Sequence, residues 1–350
     1  MRLASEVATY GVGLALALAL IGLLLALIGA DPAVAYGTIL GSSLGSPGGI
    51  GQTLNKATPL ILGGVGVTLA MRGGLLNVGV DGQIYLGAIA ATGVAFALGS
   101  SPLALPAVLL AGILGGAVAV LPAGLLRAAW GVNEIFVTVM LNFVLFQLTD
   151  YLATGPWNDP LAGEAITKPI PAAAALPQLG GAAGSHAGIL VALVVTLAVA
   201  ALLRRTRLGY AIRAVGDNPV AARVGGIDVG QVAVVALVLS GAVAGLAGAI
   251  EVSGYHQRLI LGLSPGYGYM AILLAVLGKQ RPWGVALAAL GFAVLLVGSD
   301  SLQRSVRLPQ SAVLVFQAIV LLAILFVEAL RSRTAFSRSF GRLAWRRQQA

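Results

Sequence analysis

The chain has 350 residues, of which 58% are hydrophobic and only 9% are charged, and its mean hydropathy is +0.96. Soluble domains carry about a quarter charged residues, so this composition excludes an ordinary water-soluble protein and predicts a membrane protein. Cysteine is absent, which excludes disulfides, thiolate metal sites and cysteine nucleophiles. The net charge of +9 is explained by basic residues on the cytoplasmic side of a membrane, as the predicted spans indicate below. We therefore expect no nucleic acid partner.

Apolar runs bounded by glycine, proline or charge predict an all-α polytopic fold with about ten transmembrane helices. Several runs are shorter than the roughly 20 residues that a straight span needs. The first run is about 22 residues long, which favours a retained span over a cleaved signal peptide. The ten runs lie near residues 8–29, 57–71, 82–98, 103–126, 133–151, 186–203, 231–250, 266–278, 284–299 and 311–330.

Basic residues predict that both termini lie in the cytoplasm. With that orientation, all but five of the 21 Lys and Arg residues face inward, in agreement with the positive-inside rule. The inner side then holds the loop 204–230 and the basic tail 331–350, and we expect the tail to bind anionic membrane lipid. The five outer residues are Lys56, Lys168, Arg258, Arg304 and Arg307.

Two segments rich in glycine or proline interrupt the apolar pattern in corresponding positions of the two halves. The first is residues 72–83 and the second is residues 262–269. Paired interruptions of this kind are typical of broken helices that line a transport pathway, because irregular backbone in a membrane needs protein or water beside it. Ordinary turns at the membrane surface are the alternative.

Polar and aromatic side chains near these interruptions are candidates for contact with a solute. Amides can bind a base edge or a sugar hydroxyl, but they can equally hold helices together. Aromatic rings can stack on a base. An acid within the membrane, here Asp81, Glu134 or Glu251, is a functional candidate unless it lies in the solvated interface. The predicted pathway residues are Asn77, Asp81, Gln83, Asn142, Tyr267 and Tyr269.

The connection 152–185 is expected to lie outside the membrane, and its prolines disfavour regular structure. It is either a spacer or a surface for an external partner. Within the spans, glycine runs such as Gly112 to Gly116 and Gly241 to Gly248 predict close helix packing.

The chain carries no phosphate-binding loop, nucleophile elbow or zinc-ligand spacing. We therefore expect no enzyme activity, no cofactor and no metal site in this chain.

The basic segment Arg204 to Gly230 encodes a short helix. Asp217 or Asn218 supplies the N-cap and Gly225-Gly226 the stop, so we expect a helix from Asp217 to Arg223 that lies along the membrane surface and docks on another protein. Small alanines would permit close approach, and the arginines would pair with acids of the partner. The residues assigned to docking are Arg213, Gly216, Asp217, Asn218, Pro219, Ala221, Ala222 and Arg223.

Four segments in the same order resemble permeases of ATP-binding cassette (ABC) importers of the branched-chain amino acid, ribose and nucleoside group. They are PLILGGVGVTLAMRGGLLNVGVDGQIYLGA, GVNEIFVTVMLNFV, LGYAIRAVGDNPVAARVGGIDV and SPGYGYMAILLAVLGKQRPWGV. The resemblance covers essentially the whole chain and is strongest to the longer nucleoside (simple sugar) permease. The family often has Glu where this chain has Asp81, and a glycine-containing run where it has Met270 to Ile272. Both departures flank the suspected pathway and put the exact substrate in doubt.

This resemblance implies a single transmembrane permease domain, residues 1–350, in the bacterial cytoplasmic (inner) membrane. Its partners would be one or two ABC ATPase subunits, which hydrolyse the ATP, a second and shorter permease, and an extracytoplasmic substrate-binding protein. The docking segment would then be the contact with the ATPase. Nucleosides are the typical cargo of this group, and a simple sugar such as ribose is the alternative. Asp81 keeps an ion-coupled secondary transporter as a third and weaker hypothesis.

Overall fold

The computed structural model describes residues 2–27, 31–162, 166–180 and 184–306, together with a few single positions between 315 and 326. The basic tail 331–350 lies outside the described residues, as does most of the tenth predicted span.

The first half of the chain forms six helices. They are α1 (Arg2–Leu27), α2 (Pro32–Leu44), α3 (Pro47–Arg72), α4 (Val80–Leu98), α5 (Ala104–Trp130) and α6 (Glu134–Thr154). The sequence did not predict α2 or the first two turns of α3. Their glycines and serines interrupt the apolar pattern, yet Asp31 and Ser46 cap the two helices and a proline follows each cap.

The described residues of the second half begin with a two-stranded antiparallel sheet and continue with six helices. The strands are β1 (Gln178–Leu179) and β2 (Ser185–His186). The helices are α7 (Gly188–Arg205), α8 (Arg207–Asp217), α9 (Pro219–Val224), α10 (Val229–Ile250), α11 (Tyr267–Leu277) and α12 (Pro282–Val306). A short π-helix, Glu251–His256, continues α10.

By length and composition, seven helices in the described part of the chain can cross a membrane, or eight if the bent pair Ala15–Leu27 and Pro32–Leu44 counts as one span. The shorter apolar helix α11 is additional. The predicted helical, polytopic architecture is therefore confirmed, whereas the number ten and the cytoplasmic termini stay predictions.

The described residues divide into two compact units. Ser46–Ala293 form the larger unit, and the residues before Ser46 and after Ala293 form the other. The smaller unit has its own apolar core, in which buried side chains of α1, α2 and α12 meet. These are Ala17, Ile21, Leu25, Ala35, Ile39 and Leu302.

Glycines bring α10 against α5 and α4 in the larger unit. A methyl group on Gly245 would overlap the main-chain carbonyl of Gly112, and one on Gly248 would overlap that of Ile84. Such backbone contact is the usual role of small residues between membrane helices. The predicted packing faces Gly112 to Gly116 and Gly241 to Gly248 are confirmed.

The connection between α6 and α7 is more ordered than its prolines predicted. Besides β1 and β2, it contains a 3₁₀ turn at Ala172–Ala174. Its main chain also bonds the segment that follows α10, with N–H donors of Thr167, Ile170 and Leu176 on the carbonyls of residues 259, 257 and 253 at 3.1, 2.9 and 2.8 Å. Regular structure is sparse in its described residues, as the prolines predicted, but these contacts to a distant segment hold its backbone.

Candidate functional site

The first interruption, predicted at residues 72–83, is a non-helical segment at residues 73–79 between α3 and α4; we refer to it as the first break. The chain turns out of α3 at Gly74, whose φ of +74° lies in the left-handed region that favours glycine. The Leu76 N–H donates to Glu134 Oε1 at 3.2 Å, and Glu134 Oε2 lies 3.6 Å from Arg127 Nε. Glu134 thus supplies a partner to backbone that the broken helix leaves free.

Asn77 and Gln83 hold the far end of the first break through their side-chain amides. Each donates to the oxygen of the other at 2.9 Å, and Asn77 also donates to Ser240 Oγ at 2.8 Å and accepts from the Gly79 N–H at 3.0 Å. Both amides are buried. Their polar capacity is therefore used within the protein, largely to fix the chain where α4 begins.

Asn142 of α6 bonds backbone on both sides of the start of α4. Its Oδ1 accepts from the Gly82 N–H at 2.8 Å, and its Nδ2 donates to the Val78 carbonyl at 3.0 Å. In this structure, Asn77, Gln83 and Asn142 all serve to hold helices together, which was one of the two interpretations of these amides. Contact of any of them with a solute stays a prediction.

The second interruption, predicted at residues 262–269, is corrected to residues 257–266, which we call the second break, because Tyr267 already begins α11. Asp81, in the first turn of α4, joins that turn to the second break. Its Oδ1 accepts from Ser264 Oγ at 2.5 Å and from the Gly268 N–H at 2.9 Å. A carboxylate at the N-terminus of α11 is also favourably placed with respect to the helix dipole. Its Oδ2 is buried and has no hydrogen-bond partner among the described residues.

The two tyrosines of α11 differ in exposure. Tyr269 is 51% exposed, whereas Tyr267 is buried at 1% and so offers no ring face to a solute in this conformation. Tyr85, also buried, donates through its hydroxyl to the Ser264 carbonyl at 3.4 Å. The sequence analysis did not single out Ser264, although a serine three residues before Tyr267 is a capping signal, and its Oγ accepts from the Tyr267 N–H at 3.1 Å.

The basic segment 204–230, which we call the docking segment, contains the two helices α8 and α9 where one helix was predicted. Asp217 is the last residue of α8, and Asn218 alone caps α9, accepting from the N–H groups of Val220 and Ala221 at 3.0 and 3.1 Å. The predicted helix from Asp217 to Arg223 is therefore corrected to α9, Pro219–Val224. The intervening turn at Asn218 is extended, which ends one helix and starts the next.

The side chain of Ala222 lies on the inner side of α9 and is buried. This corrects the expectation that Ala222 is open to close approach by a partner. The exposed surface of α9 instead carries Val220, at 72%, and Val224, at 86%, with Ala221 and Arg223 beside them. These exposed apolar side chains lie one turn apart on α9, and docking of another protein on them stays a prediction.

Helix α8 packs on the start of the first break. Thr206 caps it, and its buried face consists of Gly209, Ile212 and Val215. At its end, Gly216 contacts the main chain of residues 72–74. Arg213 donates through Nε to the carbonyl of Gly209 at 3.3 Å, within its own helix.

The remaining acid and the two histidines lie near the end of α10. Glu251 is buried, with its Oε2 3.4 Å from His256 Nε2. His186 Nδ1 accepts from the Gly188 N–H at 3.1 Å, and burial lowers the pKa of His186 to about 4. Among the described residues, no group of acids and histidines is arranged to hold a metal ion. With Asp81 and Glu134 also buried, none of the three acids is the solvated interfacial residue considered above.

Comparison with known proteins identifies the family. Residues 49–325 match the model of the branched-chain amino acid transport system / permease component family. A glucose ABC transporter permease protein of Haloferax volcanii is 38% identical over 92% of this chain and 88% of its own length. A guanosine ABC transporter permease protein of Bacillus subtilis is 31% identical over 91% and 93%, and a nucleoside ABC transporter permease protein of Lactococcus lactis is 30% identical over 83% of each chain. No solved structure matches.

The matching segment covers the breaks, the docking segment and most of the apolar helices. Families of this kind work in general with an ATPase and a substrate-binding protein, and their permease subunits are not themselves catalytic. The chain therefore belongs to the branched-chain amino acid transport system / permease component family, as an ABC importer permease of the simple-sugar and nucleoside group in the cytoplasmic membrane.

Proposed function

We propose that this permease forms the translocation pathway for nucleosides and that a separate ATPase drives it. The observation that carries the choice of cargo is the arrangement at the N-terminus of α11. There, Asp81 Oδ2 has no hydrogen-bond partner among the described residues and lies beside the main chain of Gly268, the residue before the exposed ring of Tyr269.

A nucleoside has the chemistry that these two groups complement. Asp81 Oδ2 is buried in this conformation, so the solute has to bind a conformation in which the start of α11 has moved. A ribose hydroxyl would then donate a charge-assisted hydrogen bond to Oδ2. A base would stack on the ring of Tyr269, an interaction worth about 1–3 kcal/mol per base. The buried tyrosine at 267 and the three bonded amides then act as support for the site rather than as contacts with the solute.

A simple sugar is the second candidate, favoured by the 38% identity to the glucose permease protein. A sugar would use the same carboxylate oxygen and would pack a C–H face on Tyr269. The two candidates therefore differ in the contribution of a flat base. Ion-coupled transport is no longer proposed, since the family is one of ABC importers.

For the ATPase contact, we propose the exposed face of α9, with Val220 and Val224 as apolar anchors and Arg223 as the charged group beside them. The surrounding complex would contain the ATPase, a second and shorter permease, and a substrate-binding protein on the opposite side of the membrane. Asn218 and Pro219 set the start of α9, and Asp217 ends the preceding helix.

Uptake by reconstituted vesicles tests this function. The permease is co-reconstituted with its ATPase, second permease and binding protein, and uptake of a labelled nucleoside is compared with ATP inside and with an imposed ion gradient. We expect uptake with ATP alone. Unlabelled guanosine, adenosine or uridine should compete strongly and ribose or glucose weakly. Equal competition by the sugars would show that the base contributes nothing, and the sugar proposal would then replace the nucleoside one.

A further inference from the structure

Gly216 lies where α8 meets the first break, and the contact is between main chains. A methyl group on Gly216 would overlap the carbonyl of Arg72 and would lie 3.0 Å from the Gly74 nitrogen. Conversely, a methyl group on Gly74 would lie 3.3 Å from the Gly216 Cα atom. No side chain fits between the two segments, so α8 cannot approach the break in this way with any residue other than glycine at 216.

The other buried residues of α8 restrict movement of the contact between Gly216 and the first break. Ile212 is fully buried and Val215 nearly so. A methyl group on Gly73 would lie 3.7 Å from Ile212 Cγ2 and 3.4 Å from Ala236 Cβ, so the break is enclosed by α8 and α10. Because packed interiors resist deformation, a shift of α8 has to move the start of the break with it.

The same break is tied to the solute site at its other end. Asn77 and Gln83 fix it to the first turn of α4, and Asp81 in that turn holds Ser264 and the start of α11. On the other side, Asn218 follows α8 directly and caps α9. One short run of contacts therefore connects the exposed face of α9 to both breaks.

We propose that Gly216 is a positioning residue for coupled transport: it joins α8 and the first break into one moving element, so that displacement of α9 reaches Asp81 and Ser264. This inference rests on the proposed function, since it assumes that an ATPase moves α9. It goes beyond that function in placing the transmission where α8 packs on the first break, with the main-chain contact of Gly216 at its centre.

The test replaces Gly216→Ala and measures the number of solute molecules taken up per ATP hydrolysed. Forcing the two backbones apart should lower this ratio about tenfold, within the range of mutations along coupled networks, while the assembled complex still hydrolyses ATP. Gly230→Ala is the matched control. Its methyl group would have ordinary contacts, 3.4 Å from Asp228 Oδ1 and 3.5 Å from Ala128 Cβ, and the ratio should not change.

A second variant covers the case in which Gly216→Ala does not assemble. Ile212→Ala loosens the packing of α8 on the break without a steric clash and should also lower the ratio, whereas Ile189→Ala, a buried isoleucine of α7, should not. A wild-type ratio in the assembled Gly216→Ala or Ile212→Ala complex overturns the proposal. Absence of ATP-driven uptake in the wild-type complex would instead refute the proposed function.

A reporter cysteine adds a readout that a purely structural role would not change. The chain has no cysteine, so Pro265→Cys in the exposed part of the second break gives a single thiol. We expect a non-hydrolysable ATP analogue to change its rate of modification several-fold in the otherwise wild-type complex, and not in the Gly216→Ala complex. The same nucleotide response in both complexes would mean that the signal bypasses Gly216.

Discussion

Replacing Asp81 by asparagine and by alanine separates the roles of its two carboxylate oxygens. In Asp81→Asn, the amide oxygen can keep both hydrogen bonds, because Ser264 and the Gly268 N–H are donors and would repel the NH₂ group. In Asp81→Ala, both bonds are lost and two donors are left without that partner. Hydrogen bonds to a charged group contribute about 1.5–3 kcal/mol each, so the loss of both in Asp81→Ala should destabilise the protein by about 3–6 kcal/mol.

Transport should respond differently from stability. Asparagine replaces the free Oδ2 with a donor, so a solute hydroxyl loses a charge-assisted bond worth about 1.5–3 kcal/mol, which corresponds to about a ten- to hundredfold loss of affinity. We therefore expect Asp81→Asn to fold normally and to transport poorly, and Asp81→Ala to be impaired in both respects.

The assay combines thermal unfolding of the purified permease with nucleoside uptake by reconstituted vesicles. A thermal midpoint for Asp81→Ala equal to that of the wild type would show that the carboxylate does not hold the second break. Wild-type uptake by Asp81→Asn would show that Oδ2 does not contact the solute. Either result refutes the corresponding half of the argument independently of the other.

Three other substitutions or conditions test the docking surface, the helix packing and the buried histidine. Val224→Asp should weaken binding of the ATPase and reduce uptake, because it replaces an apolar anchor of α9 with a hydrated carboxylate, as a pull-down and uptake assay will measure. Gly245→Ala should cost about 1–3 kcal/mol in thermal unfolding, because its methyl group overlaps the Gly112 carbonyl. Stability should fall as the pH drops from about 6.5 toward 4, by up to about 3 kcal/mol, since His186 binds its proton less readily in the folded state than in the unfolded one.

Each of these predictions has a matched control. Val224→Thr keeps the shape of the side chain without a charge, so ATPase binding should persist. Gly291→Ala meets no atom within 4 Å and should leave stability unchanged or slightly raised. His186→Asn can still accept from the Gly188 N–H but does not titrate, so its loss of stability on acidification should be smaller. A decline in stability as large as in the wild type would assign it to other groups.

Hydropathy and glycine spacing were sufficient to predict the helical membrane architecture, the two interruptions and the packing of α10. These features depend on residues that are close together in the sequence, so the local spacing of apolar residues and glycines is enough to predict them. The glycines from 241 to 248 are an example, because two small residues one turn apart already define a face on which another helix can lie.

Long-range pairings could not be predicted in this way. Asp81 and Ser264 are 183 residues apart, so no local sequence pattern predicts their hydrogen bond. The inward side chain of Ala222 was missed because α9 has only six residues, too few to show a periodicity. Helix α8 was missed because its basic, amphipathic composition resembles a solvated loop, and only its packing on the first break makes one face apolar.

The hydrogen bonds between residues 166–176 and the segment after α10 bear on how the outer connection tolerates changes of length. Surface connections ordinarily accept deletions because water replaces whatever bonds they made. Here, removal of residues 166–176 would leave three carbonyls, at Ser253, Gln257 and Leu259, without their donors. Two of those carbonyls belong to the second break and the third lies four residues before it, so a shortened connection would also alter the proposed pathway. To exchange this connection between two permeases, residues 166–176 and the segment after α10 would have to be replaced together.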